Sequence, residues 1–129
     1  MKKTILIGAM GLFALTAPSL GHAADATKGA KVFNKCKACH SVVDLKNKVG
    51  PTLNGIAGRK AATREGYKYS KAMIKAGEDG LVWDDANLDK YITKPKDLVK
   101  GTKMIFPGLK KATQRADLIA YLKSVPVAK

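Results

Sequence analysis

Cys36-Lys37-Ala38-Cys39-His40 contains both cysteines of the chain and one of its two histidines. Two thiols three positions apart, near the end of a helix, reach the two vinyl groups of one porphyrin, and the imidazole that follows meets its metal. The spacing therefore predicts covalent attachment of a c-type haem. A Cys-x-x-Cys pair also serves as a redox or structural disulfide, but dithiol oxidoreductases set it at the start of a helix after a strand. No strand-like alternation precedes Cys36. A structural zinc ion takes four Cys or His ligands, and beyond the amino-terminal leader the chain offers three. Five residues also recur by chance, so the rest of the chain has to supply a second axial ligand and an apolar pocket of haem size.

Residues 1–23 read as a secretory leader, with Lys2 and Lys3 as the charged start, an apolar run from Thr4 to Ala17, and Gly21-His22-Ala23 as a small-x-small cleavage site. Cleavage is expected after Ala23, leaving residues 24–129 as one domain. An uncleaved anchor is the competing reading, but the run is shorter than the roughly 17–25 residues of a membrane span and Pro18 follows it. The expected location is the periplasm, where neighbouring free thiols oxidise unless thioether bonds consume them. Loss of His22 with the leader leaves His40 as the sole histidine.

The chain has 24 Lys and Arg against 10 Asp and Glu, a net charge of +14, which loss of Lys2 and Lys3 reduces to +12. An exported domain rarely meets nucleic acid, and the aromatic residues do not interleave with the basic ones as in single-strand binders. Nucleic acid is therefore set aside as a partner. An acidic protein surface is the expected one, attracted by the collective field, although most single lysines only solvate the surface. One small domain has a thin core, which a large apolar cofactor would help to fill.

Ala26, Gly29, Ala30, Phe33 and Cys36 recur at helical spacing, predicting a first helix over Ala26 to Lys37 capped by Asp25 or Thr27. Gly29 and Ala30 let a partner helix approach. A last helix runs from a Thr113 cap to about Ser124, with Leu118, Ile119, Tyr121 and Leu122 on a broad face, and crosses the first. Another starts at Asp84 or Asp85, carries Leu88, Tyr91 and Ile92, and stops before Pro95. A short one follows Ser70, with Gly77 suited to the left-handed conformation at its end. The connections Ser41 to Tyr69 and Lys96 to Lys111 are rich in Gly, Pro and Lys, and loops this long usually have a task. Wrapping a cofactor is such a task.

His40 is expected to bind iron through its far ring nitrogen while the near one donates to a backbone carbonyl. Candidates for the sixth position are Met73, Met104 and a deprotonated lysine. Met104 is favoured, because Gly101 and Gly108 let its loop turn and Ile105 and Phe106 are expected to exclude water. Met73 lies at helical spacing among apolar residues, which is the usual setting of a core methionine.

With these residues in view, the chain resembles a class I c-type cytochrome, similar to mitochondrial cytochrome c and bacterial cytochrome c2. The resemblance rests on Gly29 and Phe33, Cys36-x-x-Cys39-His40, Gly50-Pro51-x-Leu53-x-Gly55, Gly58-Arg59, Tyr67-x-Tyr69-Ser70, Trp83, Tyr91, Gly101-Thr102-Lys103-Met104 and Asp117-Leu118-Ile119-Ala120-Tyr121-Leu122. It implies an all-α fold of several helices and long loops wrapped around one haem c attached through Cys36 and Cys39, with the first and last helices crossed. It implies that Pro51 gives its carbonyl to the His40 ring, that Arg59, Tyr69 and Trp83 anchor a buried propionate, that Tyr91 and Thr102 shape the methionine side, and that Phe106 covers the haem near its exposed edge. Met73 departs from the mitochondrial pattern, which has a polar asparagine there, and the stretch Lys75 to Leu81 is longer.

The expected function is one-electron transfer rather than catalysis, with His40 and Met104 as axial ligands. A haem enzyme or gas sensor with an open sixth site is the rival, and it needs a distal acid or base. Lys35, Lys37, Lys96, Lys100, Lys103, Lys110 and Lys111 are candidates to steer a monomeric carrier to acidic docking faces of redox proteins. A bc1 complex, a terminal oxidase, a photosynthetic reaction centre and a periplasmic dehydrogenase all remain open as partners.

Overall fold

The computed structural model describes residues 11–12 and 23–129. The leader expected over residues 1–23 lies outside them apart from Gly11, Leu12 and Ala23. Helix α1 spans Ala26–Val32, and the Asp25 carboxylate accepts from the N–H groups of Thr27 and Lys28 at 2.8 and 3.1 Å. It then tightens into a 3-10 turn at Phe33–Lys35, so the helix is shorter than its apolar spacing suggests. The two cysteines follow it on a further turn, in which the Cys36 carbonyl accepts from the N–H groups of both Cys39 and His40.

Helix α2 is Lys71–Glu78, with Ser70 Oγ accepting from the Met73 N–H at 3.1 Å. Gly77 lies inside it rather than ending it: a β-carbon there would sit 2.4 Å from the Ala61 carbonyl oxygen, so close approach is what requires the glycine. The left-handed residue beyond the helix is Gly80, at φ 98°. Helix α3 is Asp85–Thr93, capped by Asp84 through the Asn87 N–H at 2.8 Å. Pro95 opens a one-turn helix α4, Pro95–Leu98, as well as ending α3, because a missing N–H costs nothing at the first helical position. Helix α5 runs Ala112–Ser124. Its N-cap is Lys111, with no side-chain bond, and Thr113 is already helical rather than the cap.

Helices α1 and α5 form the frame. A β-carbon at Gly29 would lie 1.9 Å from the Asp117 carbonyl oxygen, so the backbones touch where only hydrogen fits. The Asp25 N–H donates to Asp117 Oδ1 at 2.8 Å, and the Phe33 and Tyr121 rings pack with centroids 5.6 Å apart. Helix α3 leans on α5 through Arg115, whose Nε donates to Asp89 at 2.7 Å while Nη1 reaches the Leu109 and Lys110 carbonyls. Phe33, Leu88, Tyr91, Ile92, Val99, Leu109, Leu118, Ile119 and Leu122 are buried between these elements.

The long connections are ordered by buried polar side chains rather than by strands. Asn54 is fully buried; its amide donates to the Val42 and Pro126 carbonyls at 2.8 and 3.0 Å, and its oxygen accepts from Ala128 N–H at 2.9 Å. One side chain thus ties the loop's start to the carboxyl terminus, and every polar atom it buries has a partner, as a dry interior demands. A single bridge between Lys60 and Val82 is the extent of strand pairing among the described residues. Around it, Trp83 N–H donates to the Arg59 carbonyl and Gly58 N–H to the Trp83 carbonyl, both at 2.8 Å.

Substituting Gly29→Val inserts carbon atoms where α1 meets α5. The expected loss is about 1–3 kcal/mol of stability, the range for overpacked interiors, read as a lower denaturant midpoint with an unchanged slope.

Candidate haem site

Cys36 is half-buried and Cys39 exposed, and no disulfide joins them. Burial, reinforced by the neighbouring Cys39, pushes the Cys36 thiol up. His40 follows on the same turn, and its Nδ1–H donates to the Pro51 carbonyl at 2.7 Å. This is the contact that the sequence anticipated. Gly50 makes room for it: a β-carbon there would lie 2.3 Å from His40 Cε1. Gly50 N–H also donates to the Cys39 carbonyl at 2.8 Å, closing the loop onto the attachment segment. Burial lowers the His40 imidazole below its ordinary range, outweighing the raising effect of the Pro51 carbonyl, and Lys48 lowers it further. A neutral ring bonded at Nδ1 offers the lone pair of Nε2.

Met104 stands half-buried on a loop whose start turns at Gly101, φ 89°. Thr102 organises it: its Oγ1 lies 2.6 Å from the Tyr91 phenol oxygen and accepts from the Met104 N–H at 3.3 Å. Tyr91 in turn packs on Trp83, centroids 4.9 Å apart, and burial raises its phenol. Leu109 N–H donates to the Ile92 carbonyl at 2.7 Å and pins the far end of the loop on α3. Phe106 is half-buried, but Ile105 is 92 % exposed and does not exclude water. Met104 and Phe106 both pack inward against the core, and Ile105 between them is left outside. Met73, on α2, is buried in the core.

Arg59, Tyr69 and Trp83 come together in part. Backbone bonds join Arg59 to Trp83, and the charge of Arg59 acts on the Tyr69 phenol, which burial raises overall. The sequence reading missed Arg64, counted there only as basic charge. Its backbone N–H donates to Tyr69 Oη at 3.0 Å and its Nη2 to the Asn54 carbonyl at 3.1 Å. Arg59 Nη1 and Arg64 Nε are both buried and have no hydrogen-bond acceptor. Its position five residues after Arg59 in the same long loop was the available signal.

These features fit a haem. Two thiols and an imidazole lie on one turn, Gly50 leaves the ring its room, and two buried guanidinium N–H groups lack an anion that a propionate would provide. Cys36 of the attachment segment, Leu53, Tyr69, and Met104 and Phe106 of the methionine loop all pack against the same core.

The comparisons agree. The family model for cytochrome c matches residues 26–126. The chain is 48 % identical over 119 residues to cytochrome c-554 of Methylosinus trichosporium, covering 92 % of this chain and 88 % of that protein. It is 46 % identical over 121 residues to cytochrome c2 of Rhodomicrobium vannielii, covering 93 % and 94 %. Among solved structures it is similar to cytochrome cH from Methylobacterium extorquens, with a TM-score of 0.70 and 47 % identity over 78 % of this chain and 98 % of that one. The chain therefore belongs to the cytochrome c family, as a class I c-type cytochrome that holds haem c through Cys36 and Cys39 and transfers electrons rather than catalysing a reaction.

Proposed function

We propose that this chain is a periplasmic one-electron carrier whose haem is closed on both axial sides, by His40 and by Met104. The bound haem supplies a ferric/ferrous couple, and the protein's part is to hold it rigid, dry and oriented. The hydrogen bond from His40 Nδ1 to Pro51 carries this reading, because it fixes ring orientation and tautomer and leaves Nε2 as the ligand atom. Thr102 positions the backbone of Met104 and is itself held by Tyr91, so the thioether is presented by an anchored loop.

A thioether ligand favours the ferrous state, and burial disfavours the extra positive charge of the ferric one, so both raise the potential. With both sides filled, oxygen and peroxide find no vacant position, and no second histidine follows residue 22 to serve as a distal acid or base. Pro51, Arg59, Tyr69, Trp83, Tyr91, Thr102 and Phe106 complete the proposed cofactor-binding set. Residues 1–23 are read as the export leader and 24–129 as the carrier domain.

Lys35, Lys37, Lys96, Lys100, Lys103, Lys110 and Lys111 are all exposed, and the ion pairs of the described residues use none of them. Their charge is therefore available to steer acidic docking faces of membrane or periplasmic redox proteins. A bc1 complex, a terminal oxidase, a photosynthetic reaction centre and a periplasmic dehydrogenase are the classes of partner proposed.

Two measurements test this. The weak far-red absorption that marks methionine on ferric iron is expected in the purified protein and lost in Met104→Ala; its survival in that variant assigns the sixth ligand elsewhere. Second-order electron-transfer rates with native membranes are expected to fall about tenfold or more as ionic strength rises from ~0.01 to ~0.15 M, where the screening length shrinks from about 30 to about 8 Å. A rate insensitive to salt would remove the steering role of the lysines.

A further inference from the structure

We infer that Arg64 is a second cofactor-binding guanidinium, acting with Arg59 on one buried haem carboxylate and keeping it ionised in both oxidation states. This rests on the haem reading above and adds a residue to it. Buried donors in folded proteins are almost always satisfied, and arginine has no neutral form to which it escapes. Yet Arg59 Nη1 and Arg64 Nε are both buried without an acceptor, and no ion pair of the described residues uses either arginine.

The two groups meet at one backbone corner. Arg64 Nη2 donates to the Asn54 carbonyl at 3.1 Å, and a β-carbon on the next residue, Gly55, would lie 3.8 Å from Arg59 Nη2. The Asn54 bond fixes the Arg64 plane while leaving Nε unused. Arg59 is lowered first by burial and then by the neighbouring Arg64 charge, so the two like charges repel where Nη1 of one and Nε of the other are buried. One carboxylate, with two oxygens and one negative charge, relieves both problems.

The other titratable groups nearby do not substitute for it. Tyr69 is a neutral phenol that accepts from the Arg64 backbone, with Tyr67 packed against it at a centroid distance of 4.8 Å. Lys60, Glu65 and Lys68 on the same loop are exposed, as are Lys71 and Lys75 on α2 and Asp84 beside Trp83.

A haem carboxylate that titrates near neutral pH holds its proton more tightly when the iron is ferrous, so the reduction potential falls as pH rises. Two guanidinium groups hold the carboxylate ionised throughout, which flattens that dependence, and their excess positive charge favours the ferrous state.

The test is the midpoint potential of the purified holoprotein, followed from about pH 5 to 9 in the parent, Arg64→Gln and Arg64→Lys. Glutamine keeps a donor for the Asn54 carbonyl without the charge; lysine keeps the charge without the fork. The parent is expected to give a nearly flat profile. Arg64→Gln is expected to lower the potential at neutral pH and introduce a fall with rising pH, and Arg64→Lys to retain most of the parent's behaviour. A parent whose potential already falls between pH 5 and 8 overturns the inference, as does a flat and unshifted Arg64→Gln profile, or Gln and Lys variants that shift alike. Attached haem is read from the spectrum of the parent; a colourless parent would refute the haem reading itself rather than the role of Arg64.

Discussion

The hydrogen bond from His40 Nδ1 to the Pro51 carbonyl, 2.7 Å long, is the constraint around which the rest of the chain is arranged. It requires the backbone at residues 50 and 51 to press against the imidazole, which Gly50 alone permits. That approach in turn requires the following loop to be held down, and Thr52 and Asn54, both fully buried, hold it. Asn54 reaches the chain's carboxyl end, which leaves α5, and α5 is seated on α1 at Gly29. The turn bearing the two cysteines continues from α1. The constraint thus closes on itself: the helix pair sets where the cysteines lie, and the loop sets how the histidine faces.

The methionine side is built on the same plan with different parts. Its loop is pinned at one end by α4 and the Gly101 turn and at the other by Leu109 on α3, while Tyr91 reaches up from α3 to Thr102. Both halves use short helices as anchors and spend most of their length as loop. In the proposed carrier, segments tied at both ends in this way would move little when a single charge is added or removed. The half-buried Arg59 and Arg64 follow from the same economy of core: in a domain with few apolar layers, polar side chains order the long loops.

Local chemistry made much of this legible in the sequence. Cys36, Cys39 and His40 declare themselves by spacing, and Asp25, Ser70 and Asp84 by cap chemistry that depends only on the next few residues. Gly29 was readable as a close approach because its helix face is otherwise apolar. What escaped depended on distant partners. Gly77 fits a helix end as well as a close contact, and only the position of Ala61 separates the two. Pro95 ends one helix and begins another by the same missing donor. The exposure of Ile105 follows from which side of the loop Met104 takes, and Arg64 reads as ordinary surface charge until Tyr69 and Asn54 are folded against it.

Closure of both axial positions, by His40 and Met104 as proposed, would make this domain a carrier rather than a site for exogenous ligands. Exposure of the ferrous protein to carbon monoxide at neutral pH tests it directly. A visible spectrum that stays unchanged over minutes is the predicted result; prompt conversion to a carbon monoxide complex would show an open or loosely held sixth position and contradict the account.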